Sequence, residues 1–261
     1  MKIALVSLDQ IWEDKTANQK RCLEYIKHAG FLKTELIIFP EMTLTGFSMN
    51  TKFIGENHEG SETVAFFSKQ AKENNISIAF GIVFLKDGKA TNNLIVIDRT
   101  GKVLSEYAKI HPFSYSGENN VYIGGNELVT CNLSDAVIGL TICYDLRFPE
   151  IYQYLSKSSN LILTIANWPE KRINHWNTLL QARAIENQIF IAGVNRTGTD
   201  GNGLNYIDSS VIFDPAGAKM ESMDSYHDMK IYEINLENVE SVRSSFPVKQ
   251  DRKIELYKSL L

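Results

Sequence analysis

A thiol, a carboxylate and an amine stand at the ends of three strand-like runs in this sequence. Cys143 closes AVIGLTIC (136–143) and is followed by YDLRFPE, in which Pro149 suits the first turn of a helix. A thiol at such a strand-to-helix turn sits near backbone N–H groups and a helix start, which favour the thiolate and can face a developing oxyanion. Glu41 follows ELIIFP (35–40), so a buried strand delivers a carboxylate to its C-terminal end, where open α/β sheets place their ligands. Lys109 closes KVLSEYAK (102–109) and precedes IHPF. Taken singly, each has an ordinary explanation: free cysteines pack in cores, glutamates sit in surface loops or cap helices, and lysines are solvated. Taken together they can perform acyl transfer through a thioester. The carboxylate accepts the thiol proton, the ammonium balances that carboxylate and stabilises an oxyanion, and sulfur attacks a carbonyl or nitrile carbon. Such chemistry requires neither histidine nor metal.

The elements that must carry these groups alternate between β and α patterns. KIALVSL (2–8) precedes an amphipathic stretch around 15–29, and ELIIFP precedes a helical 62–74. ISIAFGIVF (76–84) and NNLIVIDRTGKVLSEYA (92–108) follow without a helix between them, the second broken at Arg99-Thr100-Gly101, which predicts hairpin pairing. AVIGLTIC leads to a helix after Pro149, NLILTIA (160–166) to a helix over 172–187, and IFIAGVN (189–195) is another buried strand. SSVIFDPAG (209–217), KIYEINL (230–236) and a polar tail complete the chain. Near-continuous apolar strands imply sheets covered on both faces, and the hairpins favour two stacked sheets flanked by helices.

With 261 residues, 44% hydrophobic and 22% charged, the chain can bury a large core as one domain. No linker, repeat or low-complexity block divides it. The net charge of −4, without a basic stripe, argues against a nucleic-acid partner. Apolar runs are strand-sized, so no membrane span is expected, and MKIALVSLDQIWEDK does not resemble a signal peptide. Three scattered thiols, Cys22, Cys131 and Cys143, make no disulfide framework and show no C-x-x-C spacing, which points to a reducing cytoplasm.

The blocks FPEMTLTGF (39–47), YAKIHPF (107–113) and GLTICYDLRFPE (139–150) resemble, in order, the three signatures of the nitrilase superfamily of carbon–nitrogen hydrolases. The resemblance spans the whole chain. It implies a four-layer α-β-β-α sandwich, with Glu41 as general base, Lys109 as oxyanion stabiliser and Cys143 as nucleophile. Glu118 matches a second active-site glutamate of the family, with Glu127 in the same region as its rival. The stretch 166–206 is similar to bacterial omega-amidases, through NWP, HW, ARAIENQ, NR and DGNG. That likeness implies a small 2-oxo acid amide as substrate, 2-oxoglutaramate or 2-oxosuccinamate, no cofactor, and a homodimer to which residues 245–261 contribute. A nitrilase, an N-carbamoyl amidase or a catalytically silent binding protein are the competing readings.

For the substrate carboxylate, Arg172, His175 and Arg196 are the candidate clamp, with Phe113, Tyr115 and Trp168 as walls and the backbone N–H near Tyr144 facing the oxyanion. Arg172 and His175, three apart at a helix start, can share a face. Arg147 is expected to steady the turn after Cys143 by internal pairing, and Trp176 with Leu179 and Leu180 to fill the core. Rival motifs fare worse. The five histidines single out no partner for a Cys–His dyad, although His111 lies near Lys109. A calcium loop opening at Asp200 would need Glu where Val211 stands, so DGNG reads as a tight turn. A Glu41–Glu118 glycosidase pair would leave the lysine and cysteine idle.

Overall fold

The apolar runs become strands of two sheets and the amphipathic runs become the helices that cover them, in a computed structural model that describes residues 1–260. Strands β1 (Lys2–Val6), β2 (Leu36–Ile38), β3 (Ser77–Lys86), β4 (Lys89–Ile97) and β5 (Val103–Ala108) come first. Strands β6 (Thr130–Leu133), β7 (Ala136–Ile142), β8 (Leu161–Ala166) and β9 (Phe190–Asn195) follow. A small hairpin, β10 (Gly198–Thr199) with β11 (Asn205–Tyr206), leads to β12 (Val211–Phe213), β13 (Asp224–Tyr226) and β14 (Met229–Glu233). The first sheet runs β13-β14-β1-β2-β3-β4-β5 and the second β12-β9-β8-β7-β6. Each has a parallel centre, β1-β2-β3 and β7-β8-β9, with antiparallel edges.

Parallel neighbours need long crossovers, and helices supply them. Helix α1 (Lys15–Phe31) links β1 to β2; α2 (Thr51–Ile54) and α3 (Glu62–Asn74) link β2 to β3. A one-turn α4 (Glu118–Val121) lies between β5 and β6, while α5 (Pro149–Leu155) and α6 (Ile173–Asn187) make the two crossovers of the second sheet. Their starts follow local chemistry. Asp14 accepts the Ala17 N–H, Ser61 accepts that of Val64, and Pro149 opens α5.

Side-chain alternation builds the layers. In β1, Ile3 and Leu5 pack with Leu140, Leu163 and Phe190 between the sheets, whereas Ala4 and Val6 pack under Cys22 and Ile26 of α1 and Phe67 of α3. On the second sheet, Ile162 and Ile191 turn outward to Tyr152 of α5 and to Trp176 and Leu180 of α6. The order of layers is therefore helix, sheet, sheet, helix. Slipping any central strand by one residue would exchange its two buried faces, so the register is firmly specified.

The structure also adds to the sequence reading. The strands at 76–84 and 92–108 extend toward each other and meet at Asp87-Gly88, both at positive φ, the two-residue turn that suits a twisted hairpin. The polar tail begins with a helix, α7 (Glu237–Ser245), followed by α8 (Ile254–Leu260). A single buried apolar residue, Val239, attaches α7 to the layer between the sheets, too little to leave a visible period in the sequence. Beyond it, Arg243 donates to the Ser156 carbonyl, Lys249 to the Ser156 hydroxyl and Arg252 to Gln153, all around the end of α5. Among the described residues no helix is long and apolar enough to cross a membrane.

Candidate active site

Lys109 and Cys143 directly follow β5 and β7, Glu41 lies three residues beyond β2, and the three come together. The turn bearing Glu41 is tightly held. The Gln10 carboxamide donates to the carbonyls of Glu41 at 2.9 Å, Met42 at 2.9 Å and Thr43 at 3.2 Å. Strand β3 passes so close that a Cβ on Gly81 would lie 2.2 Å from the Met42 nitrogen, which only glycine avoids.

The Lys109 ammonium lies 3.0 Å from Glu41 Oε1 and 3.0 and 2.8 Å from the two oxygens of Glu118. All three side chains are sealed from solvent. Burial disfavours the ammonium, but the charges of Glu118 and Glu41 outweigh it and hold the Lys109 pKa well above the ordinary lysine range. Burial raises the Glu118 pKa against the pull of Lys109, and Glu41 adds to the rise. Exposed Glu127 lies away from this cluster, so the glutamate brought to the lysine is Glu118.

Asn92 donates to Glu41 Oε1 at 2.7 Å and to Glu118 at 3.2 Å, and the Asn167 N–H donates to Glu41 Oε2 at 2.9 Å. Glu41 Oε1 thus carries two donors and Oε2 one, leaving Oε2 a lone pair for an incoming proton. Cys143 adopts φ +49°, an uncommon conformation for a residue with a Cβ, as the chain turns from β7 into a short 3-10 segment. Its sulfur lies 4.0 Å from the Asn167 carbonyl. Burial and the neighbouring Glu41 carboxylate keep the thiol pKa well above its usual value, so the resting group is a neutral thiol beside a proton acceptor. Two carboxylates and one ammonium leave one excess negative charge, which favours passing the thiol proton to Glu41 over releasing it to water.

Cys143 opens onto a cavity of about 290 Å³. Phe47, Met49, Phe113, Tyr144 and Trp168 give it apolar walls, and Arg147 and Arg172 supply two cations. Arg147 stacks over Trp168 at 4.8 Å and Arg172 over Phe113 at 5.5 Å, each guanidinium held by an aromatic face. The β10–β11 hairpin contributes Asp200 and Tyr206 to the lining, the Tyr206 hydroxyl donating to Asp200 at 2.9 Å. DGNG is a tight turn, with Asp200 accepting the N–H groups of Asn202 and Leu204.

Several expectations need correcting. Tyr115 is 87% exposed on the short turn after Phe113 and is no wall of the cavity. His175 lies outside the cavity lining, with Nδ1 3.4 Å from the Arg147 guanidinium. Arg196 is fully buried behind the Tyr206 ring, at 4.7 Å, and is spent on the carbonyls of Gln10 and Thr197. Arg147 faces the cavity instead of pairing inside its own turn. Trp176 and Leu180 are buried as expected, and Leu179 packs at the edge of the same cluster. Sequence reading missed Gln10, Asn92, Asn167 and Asp145. Only Asn167, directly after the strand run 160–166, carries a positional signal like that of Glu41.

Comparison with known proteins agrees with this geometry. Residues 2–244 match the family model for carbon-nitrogen hydrolase. The chain is 31% identical over 252 residues to omega-amidase YafV of Escherichia coli (strain K12), covering 96% of each chain. It is 32% identical over 242 residues to 2-oxoglutaramate amidase of Bacillus subtilis (strain 168), covering 90% of this chain and 93% of that one. Among solved structures, XC1258 from Xanthomonas campestris, described as a CN-hydrolase superfamily protein with an arsenic adduct in the active site, superposes with a TM-score of 0.89 at 30% identity, covering 97% of both chains.

Proposed function

The chain belongs to the carbon–nitrogen hydrolase family and is a hydrolase of non-peptide C–N bonds, and on that premise we propose that it cleaves the terminal amide of a small 2-oxo acid. The observation that carries the substrate class is the pair of guanidiniums, Arg147 and Arg172, in an aromatic-walled cavity that ends at Cys143, where the lining carboxylate of Asp200 is already occupied by Tyr206 and its own turn. A volume near the lower end of the range for ligand pockets, about 300 Å³, suits a small molecule, and two cations suit a carboxylate at the end away from the reacting amide. The omega-amidase and 2-oxoglutaramate amidase names of the relatives support the same class.

In this reading Glu41 takes the proton of Cys143 as sulfur attacks the amide carbon. The oxyanion faces Lys109 and the backbone N–H of Tyr144. Collapse of the tetrahedral intermediate breaks the C–N bond, Glu41 returns its proton to the departing nitrogen, and ammonia leaves a thioester on Cys143. Water then gives a proton to Glu41 and attacks the thioester, releasing the dicarboxylate and restoring the thiol. Glu118 keeps Lys109 charged and in place. The same reading sets the enzyme in a reducing cytoplasm, as one catalytic domain that pairs as a homodimer. Exposed Phe246, Ile254, Leu256 and Tyr257 in the tail would then be covered by the second copy.

The test is kcat/KM for ammonia release from 2-oxoglutaramate and 2-oxosuccinamate beside glutamine, a small nitrile and an N-carbamoyl amino acid. Preference for the oxo acids by about a hundredfold is expected; preference for any of the others overturns the assignment. Arg172→Met should raise KM for 2-oxoglutaramate about thirtyfold with little change in kcat, and leave an uncharged amide such as butyramide unaffected. Equal losses on both amides would remove Arg172 from the carboxylate clamp.

A further inference from the structure

Cys143 and Lys109 come from different sheets, and one buried carboxylate spans the gap between them. Asp145 is fully buried and lies outside the cavity lining. Its Oδ2 accepts the Tyr107 hydroxyl at 2.7 Å and the Ile142 N–H at 3.1 Å. Its Oδ1 accepts the His111 N–H at 3.0 Å and meets His111 Nδ1 at 2.9 Å. A carboxylate only accepts, so Nδ1 carries the ring proton. Tyr107 and His111 flank Lys109 two residues to either side, and Ile142 immediately precedes Cys143. Four donors converge on a group with about four lone-pair positions, so each bond fixes the others. The imidazole of His111 also stacks on Phe148, 3.7 Å between centroids, which secures the far end of the turn.

We infer that Asp145 is a positioning residue that sets the placement of the Cys143 sulfur against the Lys109 ammonium without touching substrate. Cys143 needs such a fixture. A residue with a Cβ at φ +49° persists only where its surroundings hold it there, and Asp145 grips the residue before it. An asparagine has the same shape but would turn an N–H₂ group toward two of the four donors. The carboxylate is therefore specifically required. Burial and the Asp145 charge hold the Tyr107 phenol well above its usual pKa, so that hydroxyl stays a donor wherever the enzyme works.

This inference rests on Cys143 as the nucleophile but not on which amide is cleaved. Its test uses the full chain with Asp145→Asn and, as a milder change, Tyr107→Phe. Measured are kcat and KM for ammonia release, the rate at which iodoacetamide alkylates Cys143 (by intact-protein mass), and the folded fraction by circular dichroism. Asp145→Asn should lower kcat about a hundredfold and slow alkylation about tenfold, with KM within about threefold of wild type. Tyr107→Phe should show the same pattern at about fivefold, and it carries the test alone if Asp145→Asn does not fold. Wild-type kcat and alkylation in Tyr107→Phe, or losses that merely follow the folded fraction, overturn the proposal. Alkylation displaces iodide and cleaves no amide bond, so a wrong substrate assignment would leave this readout intact.

Discussion

Replacing Lys109 by methionine is expected to abolish ammonia release and to lower folding stability by about 3–5 kcal/mol, read by urea unfolding. The reason is electrostatic. Lys109 balances Glu41 and Glu118, all three side chains being buried, and an apolar substitute leaves two carboxylates facing each other. One of them would then take up a proton, and Glu41 would lose its readiness to accept one from Cys143. Glu118→Gln provides the contrast. It keeps the one-to-one pair of Glu41 with Lys109, so it should cost less stability than Lys109→Met while still lowering turnover. A Lys109→Met protein as stable as wild type would mean that this triad of charges is not the fixed point of the site.

The second large effect concerns the thiol. Cys143→Ala should fold with a thermal midpoint close to wild type yet lose about four orders of magnitude or more in turnover, because members of a mutual triad fail as a unit. Cys143→Gly sharpens the point. At φ +49° an L-residue is strained by roughly 1–2 kcal/mol relative to glycine, so the glycine protein should be more stable than the alanine protein by about that amount, though equally inactive. Such a result would show a residue kept at a cost to stability because its side chain is needed. Unchanged stability between the two would mean that the turn is not strained, and turnover near the wild-type rate in either would remove Cys143 from the reaction.

Much of the triad was legible because Glu41, Lys109 and Cys143 each follow a strand-like run, respectively ELIIFP, KVLSEYA and AVIGLTI. The layer order was less accessible. A strand such as LILTIA is buried on both faces whether helices or a second sheet cover it; the hairpins lean toward two sheets, and only the resemblance decides between the two possibilities. Residues that act through long-range contacts left no local sign. Gln10 reaches Glu41 across 31 positions and Asp145 reaches Tyr107 across 38, distances over which no periodicity speaks. Side-chain direction was the other blind spot. Tyr115 and Phe113 lie two residues apart, but the 3-10 turn over Ser114–Ser116 sends Tyr115 to solvent, whereas Phe113 turns to the cavity and Tyr144. Arg147 faces Trp168, which follows a different strand, so nothing local to its own turn signals that contact.

The covalent step is the centre of this mechanism and can be observed directly. Wild-type protein mixed with 2-oxoglutaramate, acid-quenched within milliseconds and analysed by peptide mass mapping, should carry one acyl group on the peptide containing Cys143, formed with one equivalent of ammonia and gone once substrate is exhausted. Acyl label on any other residue, or ammonia release that continues at the wild-type rate in Cys143→Ala, would contradict it.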